Sequence, residues 1–133
     1  MGFVGPHSGI SVRRLLPDTF ERLDVWQRSM DLVGEAYRLA LLLPVEEAAG
    51  LAGQIRRAAT SIPANLAEGN TRAHRREYLN FLSIARGSAA ELATHFEIAR
   101  RIGYLSDADL ARATQLLERV AQMLTRLARR LSI

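Results

Sequence analysis

Apolar side chains recur three and four residues apart in four separate stretches of the chain, the spacing that puts them on one face of an α-helix. The first stretch carries Trp26, Met30, Val33, Tyr37 and Ala40. Asp24 followed three residues later by Gln27 reads as an N-cap in the manner of a capping box, and Pro44 sets the stop at Leu43. Trp26, the single tryptophan, stands at a core phase in this reading. The second helix opens near Glu46 and Glu47 and follows Ala48, Leu51 or Ala52, Ile55, Ala59, Ile62 and Leu66. Its phase runs straight through Pro63, which predicts one kinked helix rather than two. Gly69 is the expected residue just beyond its end, with Asn70 or Thr71 capping the next helix.

The third helix spans roughly 72–102, about 45 Å at 1.5 Å per residue. Tyr78, Phe81 or Leu82, Ala85, Ser88 or Ala89, Leu92, Phe96 and Ala99 or Ile102 make its buried face. Gly103 ends it, and Ser106 with Asp109 forms a capping pair that opens the fourth. That helix has the cleanest heptad: Leu110, Ala113, Leu117, Val120, Leu124, Leu127 and Leu131, widened by Leu116 and Met123. Four such helices joined by short loops predict an all-α, antiparallel up-down-up-down four-helix bundle over residues 20–133, its second helix kinked. Residues 1–19, with several Gly and Pro and no apolar period, read as a flexible N-terminal arm. The widened stripes predict that copies associate.

Within this frame the segment Gln54–Asn70, QIRRAATSIPANLAEGN, departs most from an ordinary amphipathic helix. A proline in a helix interior costs about 3 kcal/mol through a lost hydrogen bond and a clash with the preceding turn. The neighbours of Pro63 are small, and so are Ala85, Gly87, Ser88, Ala89 and Ala90 in the third helix. These two small patches are expected to touch.

Composition narrows the chemistry. With 133 residues, 48% of them hydrophobic, the chain can bury one core without a disulfide or a metal. No cysteine is present, which excludes thiolate zinc sites and cysteine nucleophiles. No run reaches the roughly 18 apolar residues of a membrane span. Arg13 and Arg14 are followed by Leu15, Leu16, Pro17 and Asp18 rather than an export region. The expectation is a cytoplasmic protein without a membrane partner. All 18 basic residues are arginine, for a net charge of +4. Positive charge is concentrated over 54–76 and 100–133, while 17–53 and 77–99 are net negative.

Candidate catalytic groups are sparse. Glu91 and His95 lie four apart without the second Glu-x-x-His of a bundle di-iron site, so no metal and no cofactor is expected. Ser61, Ser83 and Ser88 lie in no nucleophile elbow, and the chain has no phosphate-binding glycine loop. Asn65 reads as a bond to backbone loosened by Pro63, and Glu68 as an ion-pair partner of Arg72 or of an arginine on a neighbouring helix. The expectation is a non-enzymatic protein.

Arginine placement points elsewhere. Arg126, Arg129 and Arg130 stand in the last turns of the fourth helix, where the helix dipole favours cations. Arg72, Arg75 and Arg76 stand in the first turns of the third, where it opposes them and where anions bind. Arg112, Arg119 and Arg126 recur every seven residues as a rail that could track phosphates or meet the acids Asp24, Asp31 and Glu35 of a neighbouring copy's first helix.

Three segments together, VWQRSMDLVGEAYRLALLLP, EEAAGLAGQIRRAATSIPANLAEGN and EYLNFLSIARGSAAELATHFEIARRIGYL, resemble the four-helix-bundle family of proteins encoded in intervening sequences of bacterial 23S ribosomal RNA genes. The resemblance covers roughly residues 20–131. Ala49 stands where an aromatic often precedes Gly-Leu in that family, a departure that bears on packing. The resemblance implies an up-down bundle that assembles as a homopentamer and has no established catalytic activity. Similar proteins include the accessory protein of diversity-generating retroelements, a basic pentameric barrel that binds nucleic acid and works with a reverse transcriptase. Carried to this chain, that implies RNA or DNA and a reverse transcriptase or other protein as partners. It makes Arg56, Arg57, Arg72, Arg75, Arg76 and Arg86 the candidate nucleic-acid contacts. The alternative is a structural or adaptor protein whose charged faces serve only self-assembly and protein contacts.

Overall fold

The computed structural model describes residues 20–132, with side chains from Asp24 onward. The expected flexible arm, 1–19, lies outside the described residues. Four helices follow one another: α1 Phe20–Ala40, α2 Leu51–Asn70, α3 Arg75–Ile102 and α4 Asp107–Leu131, with a 3-10 turn at Val45–Glu47 between the first two. Each packs on its neighbour in sequence, and α4 closes the circuit against α1. The result is the four-helix bundle that the apolar periods predict.

Several boundaries move. Asp24 is not the N-cap of α1, which already runs from Phe20; Glu, Arg and Leu just ahead of Asp24 are good helix formers and nothing breaks the helix there. Asp24 instead approaches Arg28 one turn on, at 3.7 Å. The α-helical pattern ends at Ala40, and Leu42 and Leu43 donate to Leu39 and Ala40 carbonyls in tightened turns, because Pro44 disfavours helical backbone at the residue before it. Helix α2 begins at Leu51 rather than near Glu46. The Glu47 carboxylate accepts the Leu51 N–H at 3.1 Å and so caps the helix from outside it. That carboxylate also accepts the Tyr104 hydroxyl at 3.0 Å, tying the α1–α2 connection to the α3–α4 turn.

At the other end of α2, Gly69 lies inside the helix, not beyond it. Glycine is needed there for room: a Cβ at this position would fall 2.8 Å from the Phe81 Cβ on α3. His74, not Asn70 or Thr71, is the N-cap of α3, without a side-chain cap bond. Arg72 therefore lies in the α2–α3 turn and Arg75 and Arg76 open the helix. Gly103 ends α3 with φ +97°, and Ser106 and Asp109 exchange the capping-box bonds that start α4.

The buried stripe of α1 is displaced by one residue from the expected one. Val25, Ser29, Leu32, Ala36, Leu39 and Leu43 face the core, together with Ala40. Trp26 and Val33 are half-buried on the flank, and Met30 and Tyr37 are 43% and 44% exposed. Two stripes with the same spacing run side by side on this helix, about 100° apart. Size favours the outer one, but close packing against α2 and α4 selects the slimmer one. Ser29 is tolerated inside because its hydroxyl donates to the Trp26 carbonyl at 2.8 Å.

Helix α2 continues unbroken through the buried Pro63. The two small patches do touch: the Ser61 and Ser88 hydroxyls lie 2.7 Å apart across the α2–α3 contact. The Asn65 amide donates to the Ser61 carbonyl and hydroxyl at 2.8 and 2.9 Å, which makes this polar clasp self-contained. Ala85, Ser88 and Ala89 are buried, whereas Gly87 and Ala90 face outward.

Candidate nucleic-acid interface

The six arginines singled out from sequence do not form one patch. Arg56 and Arg57 lie in the first turns of α2 and Arg72 just past its end, about 22 Å away along the helix axis. The Arg56 guanidinium donates to the Ala48 carbonyl at 2.7 Å. Arg57 lies back over Gly53, where a Cβ would come within 3.1 Å of its Nη1. Arg56 thereby ties down the loop that leads into α2. Arg86 projects midway along α3 into a groove shared with α4, on a different side from Arg57, which lines a pocket between α2 and α3.

Arg72, Arg75 and Arg76 do stay together, at the α2–α3 turn. Arg72 pairs with Glu68, the first of the two partnerships expected for Glu68, and lies over the Phe81 ring at 5.0 Å from its centroid. Such a stacked, paired guanidinium is held in place while still offering donors outward. Arg76 is exposed and makes no ion pair among the described residues.

Antiparallel topology adds what helix-by-helix reading misses. Helix α3 begins at the end of the bundle where α4 finishes, and Ser83 and Thr125 line the same groove on the two helices. Arg126, Arg129 and Arg130, explained individually by the α4 dipole, therefore stand at the same end as Arg72, Arg75 and Arg76. Arg126 and Arg129 line one surface depression there and make no ion pair among the described residues. Among the described side chains the acids at this end are Asp24 of α1, which approaches Arg28, and Glu68 and Glu77, against the six arginines of the α2–α3 turn and the end of α4. The sequence signal was available in the positive charge of both segments; it needed the up-down connectivity to become one site.

The rail on α4 divides in the same way. Arg112 approaches Glu35 of its own chain, Nε to Oε2 at 3.9 Å, because α1 and α4 are neighbours in the bundle. One of the pairs expected between copies is thus made within the chain. Glu35 is also bonded by Arg38 at 2.5 Å; that hydrogen bond outweighs its burial and holds the carboxyl below the usual range.

No group of three or more His, Asp or Glu side chains that could hold a metal ion occurs among the described residues. Glu91 is exposed, and His95 is half-buried, its Nδ1 without a hydrogen-bond partner among the described residues. No described helix is long and apolar enough to cross a membrane.

Comparison with known proteins places this fold in a family. No protein of curated function matches the sequence. Among solved structures, a protein of unknown function from the S23 ribosomal protein family of Bacteroides thetaiotaomicron superposes with a TM-score of 0.76 at 23% identity, over 82% of this chain and 98% of that one. At that identity the likeness speaks for the fold. The sequence profile of the 23S rRNA-intervening sequence proteins matches residues 21–126, and the chain belongs to the 23S rRNA-intervening sequence protein family.

Proposed function

We propose that this protein is a non-enzymatic, self-assembling helical bundle that binds RNA or DNA through arginine–phosphate contacts at the end formed by the α2–α3 turn and the α4 C-terminus. The observation that carries the reading is the gathering of Arg72, Arg75, Arg76, Arg126, Arg129 and Arg130 at that end, where they outnumber the described acids Asp24, Glu68 and Glu77. Like charges held close repel one another, and a polyanion that releases its own counterions relieves that repulsion. Arg56 is engaged in local structure and Arg86 faces a groove between helices, so the interface is smaller than the sequence suggests at those positions and extended by α4.

Assembly multiplies such a patch, since a homo-oligomer, a pentamer by the family resemblance, repeats it around an axis. Phosphate contacts alone carry no base specificity, so binding to structured RNA and duplex DNA of mixed sequence is the expected behaviour. Fluorescence anisotropy with a labelled RNA hairpin and a labelled DNA duplex at low salt tests the reading. Binding that weakens steeply as salt rises supports it, and no binding to either probe overturns it. The exposed apolar flank of α1 favours a second reading, an assembly or adaptor protein that contacts only proteins; that reading gains if the purified oligomer ignores both probes.

A further inference from the structure

Helices α2 and α3 share a polar feature that is separate from the arginine-rich end. Beside the Ser61–Ser88 contact a pocket of about 390 Å³ opens between them, lined by Gln54, Arg57, Ser61, Ser88, Glu91 and His95. The 2.7 Å contact between the two hydroxyls fixes the register. Because α2 and α3 run in opposite directions, stepping back from Ser61 and forward from Ser88 brings Arg57 level with Glu91 and Gln54 level with His95. The lined stretch is about 10 Å long on each helix, and Ser88 stands about 20 Å along α3 from Arg75.

The polar groups of this pocket are not used up by one another. Arg57 and Glu91 carry opposite charges on facing helices, yet neither makes an ion pair among the described residues. The His95 Nδ1 is shut off from solvent and has no hydrogen-bond partner among them either. The Asn65–Ser61–Ser88 clasp needs nothing more to hold the helices together, but its two hydroxyls carry two hydrogens and the bond between them uses one. One hydroxyl hydrogen is left over at the pocket floor, where Ser88 is buried.

A buried polar atom without a partner is costly, and water can serve the imidazole and the hydroxyl singly. The two charges are more selective. A ligand of one sign meets attraction from one wall and repulsion from the other, whereas a ligand that carries both signs is attracted by each. Ala58 and Ile84, the latter 50% exposed, add an apolar wall.

We propose that this pocket binds a small zwitterion of the α-amino acid class, with its carboxylate against Arg57 and Gln54, its ammonium against Glu91 and the His95 imidazole, and an apolar side chain against Ala58 and Ile84. The guanidinium offers the forked donor that a carboxylate matches, and the spare hydroxyl hydrogen adds a further donor. The site binds and does not react: His95 lies about 10 Å along the helix from Ser88, too far to take its proton. It depends on neither the nucleic-acid nor the self-assembly reading.

NMR titration of the native protein with leucine tests this, read at the His95 ring resonances, which a His95→Gln variant assigns. Two analogues keep one of leucine's charges each: isocaproate has the carboxylate and isopentylamine the ammonium. Leucine is expected to move the His95 signal and leave that of His74 in place, and each analogue to bind about tenfold more weakly for want of one charged hydrogen-bonding group. Arg57→Gln should bring leucine down to the affinity of isopentylamine, and Glu91→Gln down to that of isocaproate. Both residues are exposed, so circular dichroism should be unchanged. Equal binding of leucine and isocaproate would make this a plain anion site and overturn the zwitterion. Leucine binding indifferent to both substitutions would place it elsewhere and overturn the site. No movement of His95 at about 10 mM leucine, well above the roughly millimolar dissociation constant expected for so few atoms, would overturn binding altogether.

Discussion

The two ends of the bundle use charge in opposite ways. At the end holding the α1–α2 connection and the α3–α4 turn, arginines are matched to acids. Arg38 and Arg112 share Glu35, Arg100 and Arg101 share Glu97, and the Ser106–Asp109 box closes the start of α4. Hydrogen bonds to Glu35 and Glu97 hold Arg38 and Arg100 in the charged state, and Asp109 and Asp107 nearby add to that hold. At the opposite end, Arg76, Arg126 and Arg129 have no ion pair among the described residues, while Arg72 pairs with Glu68 and Arg28 with Asp24, each one turn away. Most of the pairs at the first end lie one turn apart in a single helix, and Arg112–Glu35 joins α4 to α1. Gathered charges of one sign do not hold helices together, and their natural complement is a ligand.

The largest expected effect separates the ends by binding. Replacing Arg76, Arg126 and Arg129 together by Gln should lower affinity for an RNA hairpin about a hundredfold at low salt, with the thermal midpoint unchanged or slightly raised; a binding isotherm and a melting curve on the same sample check it. The paired end should answer the other way. Glu35→Gln removes the carboxylate shared by two arginines and should cost about 1–2 kcal/mol in urea unfolding, leaving nucleic-acid affinity as it was. Ser106→Ala removes the cap of α4 and should cost about 1 kcal/mol, again without effect on binding.

The smallest effect is a pH dependence confined to the paired end. Hydrogen bonds from Arg100 and then Arg101 lower the Glu97 carboxyl to about 2, below its unfolded value of about 4.3. Its contribution is therefore complete above about pH 4.3 and lost as pH falls towards 2. A Glu97→Gln variant should show a shallower loss of stability across that window than the native chain. Equal slopes would remove Glu97 from the acid sensitivity of the fold.

Helix number, order and the capping box of α4 were legible because period, glycine and cap signals agree there. The face of α1 was not, because Trp26, Met30 and Tyr37 imitate a core stripe while Ser29 and Ala36 fill the actual one. The imitation has a physical reason: large apolar residues at regular spacing give the same helical period on an outer flank as on a buried face. Gly69 was misplaced because a helix-ending glycine and a glycine that admits a neighbouring side chain look alike until Phe81 is seen against it. The candidate arginines were half legible. Arg72, Arg75 and Arg76 stay together because they are close in sequence, whereas Arg56, Arg57 and Arg86 scatter. Arg126, Arg129 and Arg130 join them only through a helix pairing that the residue spacing does not contain.

The contrast between the ends is tested most directly by salt titration of RNA-hairpin binding for three proteins side by side: the native chain, the Arg76, Arg126 and Arg129→Gln variant, and a Glu35→Gln control from the paired end. The slope of log affinity against log salt should be steep for the native chain and the control. For the arginine variant it should be shallower by about 2–3, since each phosphate left without its arginine takes roughly 0.7–0.9 from the slope. A slope and affinity equal in all three, or no binding by the native chain at low salt, would contradict the assignment of the arginine-rich end to nucleic acid.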